Sequence, residues 1–142
     1  MTTHARGTRF GMPITQLSQV FLIPFGVSNK RAYAQLHGGK LHVRFGPMFD
    51  EQIVLENIER AEEARWPRWA GVGPRTNFRG TVGLIASYGK TVKLTFKEPI
   101  DVHLFVVPVK CHRLYISLED AEGFLKAIRE VMTAQRKAAK AA

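Results

Sequence analysis

A chain of 142 residues, 45% apolar and 23% charged, has room for one packed core and lies far from disordered, collagenous or membrane compositions. Its single cysteine, Cys111, excludes an internal disulfide; with no secretory pattern at the start and no apolar run near the roughly 18 residues of a spanning helix, secretion and membrane insertion are not expected. Twenty-one Lys and Arg against twelve Asp and Glu leave +9, which favours anionic partners: nucleic acid, an acidic protein or membrane phosphates.

The charges are segregated. Residues 1–49 carry Arg6, Arg9, Lys30, Arg31, Lys40 and Arg44 with no acid, and residues 64–97 carry Arg65, Arg68, Arg75, Arg79, Lys90, Lys93 and Lys97, again with none. Between them lie Asp50, Glu51, Glu56, Glu59, Glu62 and Glu63 with Arg60, so pairing of the segments in space would neutralise part of each.

In chain order, residues 1–16 show no hydrophobic period and read as a flexible N-terminal arm, with the domain running over 17–134 and a basic tail over 135–142. The apolar run within 19–27 (Val20, Phe21, Leu22, Ile23, Phe25) predicts a first strand, and Pro24 suggests an edge or bulge. Gly38-Gly39 between two alternating runs predicts a two-residue hairpin. Counting outward from that turn opposes His37 to Lys40, Leu36 to Leu41, Gln35 to His42, Ala34 to Val43 and Tyr33 to Arg44. Ala34, Leu36, Leu41, Val43 and Phe45 then share a core face, while Tyr33, Gln35, His37, Lys40, His42 and Arg44 share a wet one.

Residues 50–65 mix helix formers with the strand-like Gln52-Ile53-Val54-Leu55; the reading adopted is strand, turn, strand. The stretch 65–80 holds Pro67, Gly71, Gly73, Pro74 and Gly80 and reads as a long loop, rich in aromatics through Trp66, Trp69 and Phe78. Strands over 81–87 and 90–97 around Tyr88-Gly89 suggest a second hairpin, with Val92, Leu94 and Phe96 inward and Thr91, Lys93, Thr95 and Lys97 outward. Residues 102–109 and 113–118 suggest a third pair, with Leu114, Ile116 and Leu118 on one face and Arg113, Tyr115 and Ser117 on the other. The period then becomes helical: Phe124, Leu125, Ile128, Val131 and Met132 form a stripe, Ser117 or Glu119 is placed to cap, and the stripe fades into a tail expected to fray.

About seven short antiparallel strands followed by one amphipathic helix is the element order of the pleckstrin-homology superfold. The phrases Leu41-His-Val-Arg-Phe-Gly46, Ile53-Val-Leu-Glu-Asn-Ile58, Gly80-Thr-Val-Gly-Leu-Ile85 and Tyr115-Ile-Ser-Leu-Glu-Asp-Ala-Glu-Gly-Phe-Leu125 resemble bacterial PH-like domains over residues 17–133. The resemblance implies a mainly β fold with one C-terminal α-helix, an antiparallel sandwich or partly open barrel whose open end the helix plugs through Phe124, Leu125 and Ile128. The superfold hosts phosphoinositide binding, protein binding and structural roles, so fold alone does not choose among them. The basic cluster that lipid-binding members carry on the first hairpin is matched loosely by Lys30, Arg31, Lys40 and Arg44.

Chemistry is harder to find. Cys111 and His112 are neighbours on a strand and so point to opposite faces, which rules out a nucleophile–base dyad. His37 and His42 lack a third ligand and have Lys40 between them, and the acidic stretch has no partner group for acid–base work. No enzyme activity, metal or cofactor is expected. The candidate binding residues are Arg65, Trp66, Arg68, Trp69, Arg75 and Arg79 in the loop, where guanidiniums that grip phosphate alternate with planar rings, together with Lys30, Arg31, Lys40 and Arg44. The expected function is a non-catalytic PH-like module engaging an acidic protein or anionic membrane surface from the cytoplasm or the membrane periphery. The alternative is a nucleic-acid-binding protein using the loop 65–79. Trp66 or Trp69 as core anchors is the structural counter-reading.

Overall fold

The computed structural model describes residues 8–12, 32–66, 73–86, 90–104 and 106–141. The strand expected within 19–27, the turn at Tyr88-Gly89, and Lys30, Arg31, Arg68 and Trp69 lie outside the described residues.

The fold is mainly β, with two sheets that do not close into a barrel and one C-terminal helix. A four-stranded antiparallel meander contains β1 (Thr8–Gly11), β2 (Ala32–His37), β3 (Lys40–Phe45) and β4 (Asp50–Val54) in sequence order. A five-stranded sheet contains β5 (Ile58–Ala64), β6 (Gly73–Thr76), β7 (Gly80–Ile85), β8 (Thr91–Leu104) and β9 (Val107–Ser117), ordered β5-β8-β9-β7-β6. Helix α1 spans Ala121–Ala141.

The first hairpin has the register counted from its turn: all five expected pairs, from His37–Lys40 to Tyr33–Arg44, are present. Gly38 and Gly39 both take positive φ (57° and 77°), the conformation a two-residue turn between right-twisted strands needs and glycine adopts without strain. One departure concerns Tyr33. Alternation puts it on the wet face, yet it is buried, because the Arg9 guanidinium lies 3.9 Å from its ring centroid and His42 meets it edge-on at 5.4 Å.

Part of the stretch read as an arm is this sheet's edge. Thr8–Gly11 pairs with β2, Phe10 packs edge to face on Phe124 at 5.2 Å, and Met12 is buried. Four residues are too few to show a period, so pairing with β2 supplies the order that local pattern does not.

Residues 50–65 do form a strand, a turn and a strand, the turn being a single 3-10 helix at Leu55–Asn57 that carries the chain from one sheet to the other. The second expected hairpin is absent. β9 lies between β7 and β8, pairing antiparallel with β8 and parallel with β7. Period-2 alternation fixes which face of a strand is apolar, and Val92, Leu94 and Phe96 are buried as expected, but it carries no information about the neighbour. The expected third pair is also redrawn. The run 102–109 straddles the turn, since β8 continues to Leu104 and β9 starts at Val107; the β8–β9 ladder shifts register between Thr95 and Ile100, around Pro99, which has no N–H to donate. Nine strands, rather than about seven, are present among the described residues.

Helix α1 is capped by Asp120, whose Oδ1 accepts from Gly123 N at 3.0 Å. Neither residue expected to cap does so. Ser117 is buried, its hydroxyl accepting from Ala86 N at 2.7 Å, and Glu119 uses its own amide on Gly11 O. Phe124, Leu125, Ile128 and Met132 enter one core with the apolar faces of both sheets. The tail does not fray: the helix continues to Ala141, and two arginines tie it to edge strand β5. Arg129 donates through Nε and Nη2 to Ala61 O (3.1 and 2.8 Å), and Arg136 donates to Glu59 O at 3.3 Å. These bonds occupy carbonyls that an edge strand leaves open.

Candidate anion-binding surface

The outward side chains of the five-stranded sheet fall into two adjacent rows. One reads Glu62, Lys93, Tyr115, Gly83, Arg75 across β5, β8, β9, β7 and β6; the next reads Arg60, Thr95, Arg113, Thr81 across the first four. Glu62, at the edge, is the acid in these rows. Alternation along each strand explains the sorting, since the intervening Ala61, Leu94, Leu114 and Val82 are buried.

Trp66 joins this face. Its six-membered ring lies against Gly83, where an added Cβ would sit 2.4 Å from Cη2, and its indole meets the Tyr115 ring at 5.2 Å and 60°. Lys93 approaches the same tyrosine, with Nζ 5.9 Å from the ring centroid. The indole is half-buried.

The β6–β7 turn, Asn77-Phe78-Arg79, closes one end. Asn77 Oδ1 accepts from the amides of Arg79 (2.8 Å) and Thr81 (3.2 Å); Thr76 Oγ1 accepts from Phe78 N (3.0 Å) and donates to Thr81 O (2.9 Å). Arg113 braces it from β9, donating to Thr81 Oγ1 at 3.1 Å and to Arg79 O at 3.4 Å. Held this way, Phe78 has φ 55° and is 71% exposed. It is the positive-φ residue other than glycine among those described, a conformation uncommon for a bulky side chain.

The sequence candidates divide between surfaces. Arg75, Arg79 and Trp66 belong to the face just described, and Arg65 is exposed beside Trp66 in sequence. Lys40 and Arg44 lie on the outer side of the other sheet, where Arg44 Nε donates to Gly46 O at 3.4 Å and Lys40 is exposed. On that surface Asp50 engages His42, and Arg9 is bonded to Gln35 Oε1 (2.8 and 3.0 Å). Arg60, Lys93, Arg113 and Tyr115 were not among the candidates. Their outward alternation is visible in the sequence, but nothing local says that β8 and β9 are neighbours.

In β9 Cys111 is buried, its thiol donating to Arg113 O at 3.5 Å, and His112 is half-buried where the β7–β9 register shifts. Burial pushes the thiol up to about 12, with Arg113 pulling weakly the other way, so it is un-ionised at neutral pH and unsuited to nucleophilic attack. Among the described residues no three His, Cys, Asp or Glu side chains gather as a ligand set, and no helix is long and apolar enough to cross a membrane. No family model, curated protein or solved structure matches the chain.

Proposed function

We propose that the protein is a non-catalytic binding module whose outer five-stranded face engages an anionic partner, working in the cytoplasm or at the membrane periphery. The observation that carries this reading is the adjacency of Lys93, Arg75, Arg60 and Arg113 in two rows where Glu62 is the acid, continued by Arg79 at the turn. Cations held on a sheet keep their spacing without the ordering cost that a flexible loop incurs on binding. The pleckstrin-homology-like assignment draws support from the element order of meander, second sheet and C-terminal helix, and the parallel β7–β9 pair departs from the all-antiparallel plan the resemblance implies.

Elution from immobilised heparin tests the surface. Arg79→Glu combined with Lys93→Gln removes two cations whose side chains make no backbone hydrogen bond among the described residues, and the backbone bonds of Arg79 in the turn need no side chain. The variant is expected to elute at clearly lower salt than the parent, with stability within about 0.5 kcal/mol per site. Equal elution of parent and variant would reject the face.

A further inference from the structure

The geometry points to single-stranded nucleic acid as the partner, with Phe78, Tyr115 and Trp66 forming a stacking track for unpaired bases between the cations of the same face. This inference rests on the anionic-partner reading and adds to it the kind of anion.

Three observations carry it. Phe78 is a large ring presented to water on a turn fixed by four side chain–backbone hydrogen bonds, in a conformation that glycine or asparagine would adopt with less strain. An exposed aromatic on a braced turn contributes nothing to the core and is presented for an external contact. Second, the rings do not stop at the turn. Arg113 bonds the turn backbone, and Tyr115 follows it two residues along β9, about 6.6 Å further on the same face, in edge contact with Trp66. Third, cations alternate with the rings: Arg79 beside Phe78, Arg113 before Tyr115, and Lys93 and Arg75 on either side of the Tyr115–Gly83 pair.

Alternating rings and cations along a sheet suit a strand whose bases are splayed and whose phosphates run beside them. A bilayer would use the ring at the turn but has no use for aromatics lying back along the sheet. A duplex hides the base faces that rings stack on. The track therefore favours the unpaired strand over both.

The test uses the full chain and a fluorescein-labelled dodecamer of deoxythymidine, the corresponding poly-dA·dT duplex, and vesicles of phosphatidylglycerol and phosphatidylcholine, in parallel anisotropy and sedimentation titrations. The parent is expected to prefer the single strand. Phe78→Gly is expected to weaken that binding roughly tenfold while leaving heparin elution nearly unchanged, because it removes a ring and no charge. Its melting temperature is expected to be no lower than the parent's, since glycine relieves the positive φ. Equal affinity for single strand and duplex, or a single-strand affinity indifferent to Phe78→Gly, would overturn the stacking track while the anionic reading survives. Vesicle binding that depends on Phe78, with no binding to the oligonucleotide, would replace it with a membrane contact. Failure to bind heparin, nucleic acid and vesicles alike would reject both the inference and the reading beneath it.

Discussion

Replacing Phe124 with Ala is expected to lower the free energy of unfolding by about 3–5 kcal/mol. The ring is fully buried and sits where three parts of the fold meet: the first turn of α1, the core between the sheets, and Phe10 of β1, 5.2 Å away edge to face. Truncation removes apolar area from the core and leaves a void that cannot collapse, because the neighbours are anchored by ladders on one side and by the Asp120 cap on the other. It also removes the aromatic partner of Phe10, so β1 should become the first element to open. Urea unfolding measures the change as a lower midpoint at unchanged slope. A loss below about 1 kcal/mol would mean that the helix is not seated through this ring.

Gly83→Ala is expected to destabilise the protein by about 1–3 kcal/mol, although glycine to alanine in a strand is ordinarily tolerated or favourable. The added Cβ would lie 2.4, 2.8 and 2.9 Å from three atoms of the Trp66 ring, distances that real contacts do not reach. The indole cannot simply slide, since Tyr115 holds it on the adjacent strand. It must lift off the sheet, which breaks its contact with Gly83 and Tyr115. In a Trp69→Phe background the emission of Trp66 should shift to the red with the fall in stability. Unchanged emission and stability would show that the indole does not lie on Gly83.

Much of this architecture is legible in the sequence where local pattern alone decides it. The Gly38-Gly39 hairpin is readable down to its register because a two-residue turn leaves one pairing that keeps Ala34, Leu36, Leu41 and Val43 together. The buried set is readable for the same reason: Leu94, Phe96, Leu114, Ile116, Phe124, Leu125 and Ile128 all face the core, as their periods require. The helix is readable from its stripe, but its end is not, because Arg129 and Arg136 secure it through carbonyls of a strand more than sixty residues away.

What is not legible is which strands become neighbours. The placement of β9 between β7 and β8 depends on the long β8–β9 hairpin and on a parallel pairing of β7 across the sheet, both decided by the whole core rather than by any window of sequence. The candidate site suffers from the same gap. The aromatic and basic character of 65–79 is visible locally, and it led to Arg75, Arg79 and Trp66; Lys93, Arg113 and Tyr115 join them only once β8, β9 and β7 lie side by side. Thr91 and Ser117, polar by alternation, are buried instead, Ser117 satisfying Ala86 N and Leu84 O at the edge of the core.

The proposed anionic contact is made by the outer five-stranded face and not by the outer side of the meander. Amide chemical-shift changes in the labelled protein, recorded during titration with a short heparin fragment, test it most directly. Changes are expected to cluster at Lys93–Thr95, Arg113–Tyr115 and residues 75–81, with Gln35, Lys40, His42 and Arg44 unmoved. Changes confined to the β2–β3 hairpin, with β8 and β9 silent, would contradict it.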